Sequence, residues 1–230
     1  MIKIIYNPGQ AFRELKEAEK FPLMSLLILL TIALINNILL IPVTTKIIEL
    51  TFSSMPISET QMEFTMALMY KMRYLQVLGS IFSYMFMLVA YTLLIWVLTK
   101  ITKIKLSFGK AFELMINCCF VLAVGGLINT IILYARGLEN ITNMYEISLT
   151  GLNLFTSTES VGVVFYTFLS LINPFYIWFL ALLTIGLMKI AETKLNKAFI
   201  TGIIFWIIII AFPVVMIFFS QVVMKSRGLM

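Results

Sequence analysis

The 230-residue chain has no histidine and no aspartate, which removes the commonest general base and most metal-ligand sets. Its two cysteines, Cys118 and Cys119, are adjacent. Neighbours on a helix point about 100° apart, so the pair neither chelates one metal nor bonds easily to itself. With no third cysteine a disulfide framework is excluded, and both are expected to pack as small apolar residues. No serine stands beside a visible base, and no glycine-rich phosphate loop follows a strand. These absences argue against an enzyme and imply no cofactor and no metal. Charge is scarce too, at 12% of residues against about 25% in a soluble domain. Polar sequence long enough for a separate soluble domain is also missing, so residues 1–230 are expected to form a single membrane domain.

What fills the chain instead is apolar sequence, 61% of residues. Five long runs, at about 21–41, 75–98, 111–134, 174–191 and 198–223, stand between short charged segments. A run of 21 residues taken as helix covers about 31 Å, close to the hydrocarbon thickness of a bilayer. Only helices or closed barrels satisfy their backbone in lipid, and these runs lack the alternation of barrel strands. The expected fold is therefore all-α, a polytopic membrane bundle of five transmembrane helices with additional interfacial helices. Mostly polar residues precede the first run, which is too long for a signal-peptide core, so a retained first span is expected.

The net charge of +6 is a matter of topology. Sorted by alternating sides of the five runs, 11 Lys and Arg fall on the side of the first residues and 6 on the other. The 11 Glu divide 5 and 6. The positive-inside rule then places the N-terminus in the cytoplasm and the C-terminus outside, in a multi-pass protein of the plasma membrane. The basic excess suits anionic lipid headgroups and does not point to nucleic acid.

Along the chain, Asn7 and Pro8 read as the cap and first position of a helix with Ala11, Phe12, Leu15 and Ala18 on one face, expected to lie on the cytoplasmic leaflet. Pro42–Tyr74 reads as a first external segment. There Ser58 and Gln61 fit a capping box, and a methionine-rich helix follows that is open to running on into the second span. Ala135–Asn173 reads as a second external segment, charged at Arg136, Glu139, Glu146 and Glu159. Within it Val161–Leu171 is expected to be a short interfacial or partly re-entrant helix, with Asn173–Pro174 starting the fourth span.

Inside the runs, Asn36, Asn37, Asn117 and Asn129, with Asn173 at a span entry, are the candidate binding residues. An amide in hydrocarbon needs a partner, so they are expected to face the interior, either as structural glue or along a polar path. Gly125-Gly126 is read as an interruption of the third span. Glu113 is expected to pair with Lys110, and Pro213 to bend the last helix near Ile209. Gln10-Ala11-Phe12, Lys110-Ala111-Phe112 and Lys197-Ala198-Phe199 echo one another near helix starts, a likeness attributed to interfacial anchoring.

Several of these residues carry a resemblance. Asn7-Pro8-Gly9-Gln10-Ala11-Phe12 is similar to the Asn-Pro-x-x-Ala-Phe lead-in of the Yip family of membrane proteins, named for interaction with Rab-type GTPases. Phe175 and Trp178, Gly186-Leu187, and Lys197-Ala198 resemble the family's pattern across its last two spans. Leu106-Ser107-Phe108 and Ser148-Leu149 match as well, while Gly125-Gly126 stands where relatives often have proline. The resemblance implies five spans and a cytoplasmic N-terminus, with family-motif residues Asn7, Pro8, Phe12, Phe175, Trp178, Gly186 and Lys197. Eukaryotic members resemble adaptors that recruit GTPases in vesicle transport. Their long acidic N-terminal region has no counterpart here, and the compact loops are similar to those of bacterial or archaeal members. The function expected is a non-enzymatic membrane scaffold or adaptor, working through lipids, other membrane proteins or a second copy of itself. The alternative is a small permease or transporter subunit.

Overall fold

The computed structural model describes residues 3–18, 22–53, 59–141 and 147–226. Ser58 and Glu146, used in the reading above, lie outside them. Every regular element described is helical: α1 Lys3–Tyr6, α2 Pro8–Glu17, α3 Leu23–Ser53, α4 Glu59–Ile101, α5 Phe108–Arg136, α6 Thr158–Val161, α7 Val163–Leu171, α8 Pro174–Ile190 and α9 Leu195–Ser226. Single 3-10 turns lie at Leu138–Asn140 and Leu152–Phe155.

Three helices are long and apolar enough to cross a bilayer alone, at Leu75–Ile101, Phe108–Arg136 and Leu195–Ser220. Two bent pairs bring the number to five if each is one span: Leu23–Leu39 with Ile41–Leu50, bent by 42°, and α7 with α8, bent by 49°. The protein is thus an all-helical membrane protein with three to five candidate spans. α5 is the most enclosed of the three, with Leu114, Met115, Ile116, Cys118 and Cys119 fully buried. Around it pack α3, α4 and α8, and α9 closes on α8 and α4. Phe179 stacks on Phe205 with ring centres 5.9 Å apart, and Tyr91 meets Phe205 edge-on.

Several sequence expectations need correction. Pro42 does not end the first helix. α3 runs on to Ser53, bent where Pro42 withholds an N–H from the ladder, and the Tyr134 hydroxyl donates to the Leu39 carbonyl at that bend, 2.7 Å away. The bend carries Val43 and Ile47 onto Leu133, Ile141 and Leu149, a small second core beyond the main one. Much of the supposed external segment is therefore helix, because α4 is also continuous from Glu59. At 43 residues α4 measures about 65 Å, roughly twice the hydrocarbon thickness. Gly125-Gly126 does not interrupt α5, which is unbroken from Phe108 to Arg136. α9 runs through Pro213 as one helix, which is compatible with the bend expected near Ile209. Gly162, at φ +77°, separates α6 from α7, so the short helix begins at Val163. α8, with 17 residues, qualifies as a span only together with α7.

Candidate functional site: a docked leader and a polar pocket

The leader helix docks on the bundle. Asn7 caps α2, its Oδ1 accepting from the Gln10 N–H at 3.3 Å, and Pro8 takes the first position. The apolar stripe then packs on α8 and α5. Phe12 is completely buried, with its ring edge against Gly186, where Leu114 also packs. Phe12 and Gly186, 174 positions apart and both expected as motif residues from the resemblance, are thus one contact: the ring seats where the helix has no side chain.

Lys110 fastens the other end of the leader. Its ammonium donates to the Leu15 carbonyl at 2.8 Å, the Ala18 carbonyl at 2.7 Å and Glu113 Oε2 at 2.9 Å. A lysine has three protons, and each has a partner here. The cation satisfies carbonyls at the negative end of α2 and neutralises Glu113, which is otherwise a buried carboxylate. Lys16 pairs with Glu192 beyond α8, and Thr201 donates to the Thr102 hydroxyl at 3.0 Å. The Lys110–Glu113 pair is legible at i, i+3, but its capture of the leader is not, because no sequence spacing links residue 110 to residues 15 and 18. The three Ala-Phe echoes differ in use: Phe12 is buried, whereas Phe199 is exposed over a buried Ala198.

At the opposite end of α5, two of the five candidate asparagines share a pocket. Asn129 and Asn173 line a cavity of about 200 Å³ with Gly125, Ser148, Thr150 and Tyr176. Asn129 holds the crossing segment by both of its polar atoms: Nδ2 donates to the Ile147 carbonyl at 2.9 Å, and Oδ1 accepts from the Leu149 N–H at 2.6 Å. Asn173 caps α8, its Oδ1 accepting from the Phe175 and Tyr176 N–H groups at 3.0 Å, while Nδ2 donates to the Ser170 carbonyl. Phe175 lies on Gly125 so closely that a β-carbon there would stand 2.5 Å from the ring. Gly151 lets the crossing segment lie on the α7 backbone at Leu169 and Ser170.

The other three asparagines are elsewhere. Asn36 accepts a 2.7 Å hydrogen bond from the Thr130 hydroxyl, joining α3 to α5, and its amide occupies the space that Gly126 leaves open. Asn37 turns to its own helix, Nδ2 donating to the Ala33 carbonyl, and borders a groove between α3 and α4. Asn117 is buried and donates to the Glu113 carbonyl of its own helix. The amides are therefore dispersed over four locations. Of the remaining motif residues, Trp178 and Lys197 are exposed at separate places. Sequence reasoning missed Thr130, Thr150 and the tyrosines and met Ser148 only in the resemblance, since neutral hydroxyls such as that of Thr130 resemble ordinary helix back-bonding.

Residues 2–216 match the family model described as the Yip1 domain. No curated protein and no solved structure matches the chain. The match takes in the capped leader, the glycine on which Phe12 rests and the Asn173–Pro174 entry to α8, so the contacts just described connect distant parts of one domain. The chain belongs to the Yip1 domain family of membrane proteins.

Proposed function

We propose that this protein is a non-enzymatic membrane scaffold or adaptor, a single membrane domain over residues 1–230, whose partner-contacting arm is the outer part of the α3–α4 hairpin. The observation that carries the reading is the length of α4. Its candidate span starts at Leu75, so residues 59–74 extend about 24 Å past it. On that extension Phe64, Leu68, Tyr70 and Met72 are exposed, Phe64 by 71%. Large apolar side chains on a polar-flanked helix beyond the bilayer mark an interaction surface, and methionine adapts to irregular partners. At the other end, Lys100, Lys103, Lys105, Lys194 and Lys197 stand at the ends of α4 and α9 and in the turn before α5. They suit anionic headgroups and, by the positive-inside rule, a cytoplasmic N-terminus in the plasma membrane. The reading is tested with a photo-crosslinking amino acid at Phe64 in native membranes. Capture of another membrane protein or a second copy is the expected result. Capture of neither overturns the reading.

The rival reading, a small permease, draws on the pocket at Asn129 and Asn173. Weighing against it, Asn36, Asn37 and Asn117 bond elsewhere, and so they line no route onward from that pocket. Solute flux in reconstituted vesicles that falls in a folded Asn129→Ala variant supports the rival.

A further inference from the structure

The groove between α3 and α4 carries polar groups along its walls. It is an open groove of about 580 Å³, bordered by Asn37 on one helix and Gln76, Gly79, Ser80, Ser83 and Tyr84 on the other. None of these side chains is charged. Ser80 Oγ donates to the Val77 carbonyl and Asn37 Nδ2 to the Ala33 carbonyl. Asn37 Oδ1, the Gln76 amide and the Ser83 hydroxyl have no partner among the described residues. A β-carbon on Gly79 would meet nothing within 4 Å, and the adjoining Leu78, Phe82 and Phe86 are exposed. The groove therefore opens sideways, toward lipid.

A polar group facing hydrocarbon with no partner is costly, and in lipid no water is there to serve. Its depth says what is there. The span Leu75–Ile101 has 27 residues and measures about 40 Å, exceeding the hydrocarbon by about 5 Å at each end. Gln76 sits in that excess and Ser83 about two turns deeper, so the groove straddles the boundary of the hydrocarbon, where lipid ester linkages lie. We propose that the groove holds the ester-linked glycerol region of a bilayer lipid, in the leaflet at the end of the bundle away from α2. The Gln76 amide and the Ser83 hydroxyl donate to the ester carbonyls, and Asn37 Oδ1 adds an acceptor for a lipid hydroxyl. A second copy's helix is the competing occupant, and the experiment distinguishes the two.

The experiment uses the full chain in nanodiscs with a photoactivatable diester phosphatidylglycerol, mapping labelled peptides by mass spectrometry. Unlabelled diester lipid should compete for labelling of residues 76–87 about fivefold better than its diether analogue, which lacks the carbonyls. Labelling of the α9 face around Phe212 should show no such preference. Gln76→Leu with Ser83→Ala removes the donors, and Ser83→Ala alone is the milder variant; in either, if folded by gel filtration and circular dichroism, the preference should shrink. Equal competition by the two lipids overturns the proposal, as does a preference unchanged in both folded variants. A Ser83→Cys disulfide dimer that forms in membranes and suppresses lipid labelling also overturns it, in favour of a second copy. The partner reading at Phe64 is scored on a different segment and by a different product, so one can fail while the other stands.

Discussion

Phe12 and Gly186 form a ring-on-glycine contact in which a β-carbon at position 186 would come within 3.2 Å of the phenyl edge. The same β-carbon would collide with Leu114. Gly186→Ala is therefore expected to overpack the site, at a cost of about 1–3 kcal/mol. Most of that should appear as release of the leader, because α2 is the smallest body in the contact. Hydrogen exchange over residues 8–17 checks it: faster exchange there, with α5 and α8 still protected, is the expected pattern. Unchanged exchange in α2 would sink the idea that Gly186 seats the leader.

Phe12→Ala approaches the same contact from the other partner. Truncating a fully buried phenylalanine costs about 3–5 kcal/mol in a core, more than a ten-residue helix holds in isolation. The variant should expose residues 8–17 to protease in sealed vesicles or nanodiscs while the spans remain resistant. In the double variant Phe12→Ala with Gly186→Ala the second change should cost less than it does alone, since the ring it crowds is gone.

Lys110 supports a separate prediction. Lys110→Met keeps the stem and removes the ammonium, leaving Glu113 buried beside two unmet carbonyls. Breaking a buried pair from one side costs about 3–5 kcal/mol, here reduced because Lys110 is a quarter exposed. A fall in the thermal midpoint of unfolding, largely restored by Glu113→Gln in the same chain, is expected. If Glu113→Gln restores nothing, the pair is not what the cation serves.

Most of the fold was legible because lipid imposes a length on helices. The five apolar runs and the Asn7–Pro8 and Asn173–Pro174 caps are local features, written within a few residues. What was not legible depended on partners distant in sequence. Pro42 looks like a helix end because proline usually is one; here its bend is stabilised by Val43 and Ile47 meeting Leu133, Ile141 and Leu149, so the helix continues. The greasy residues of the 135–173 segment made sense only once that second core was visible. The asparagines read as groups needing partners, and each makes at least one hydrogen bond. However, the partner of Asn129 is backbone 18 to 20 residues away, and that of Asn36 is a hydroxyl 94 residues away. Gly125-Gly126 gave a true signal of close approach and a false one of breakage, because glycine permits both.

The Gly125–Phe175 contact extends this to the pocket. A methyl at 125 enters the ring position, so Gly125→Ala must push Phe175 toward Asn173 and the cavity, costing about 1–3 kcal/mol. Phe175→Leu offers the space back, and the double variant should be more stable than the sum of the two singles predicts. Additive losses would mean that the ring does not seat on Gly125.

Asn129 makes the sharpest case, since one amide holds two backbone groups. In Asn129→Ala the Ile147 carbonyl and the N–H of the buried Leu149 lose their partner together, and each orphaned group costs about 1–3 kcal/mol. The penalty is avoided if the segment lifts off and meets water, so the expected outcome is local opening with the bundle intact. Leu149 should exchange its amide hydrogen faster, and protease should cut between 137 and 157, while the thermal midpoint of the spans moves little. Leu149 packs with Val43 and Leu133, so loosening this segment should also free the bent arm of α3 and raise exchange over residues 43–50. An arm that stays protected while Leu149 opens would show that the second core is held from the α3 side alone, and that Asn129 fixes only the lid of its own pocket.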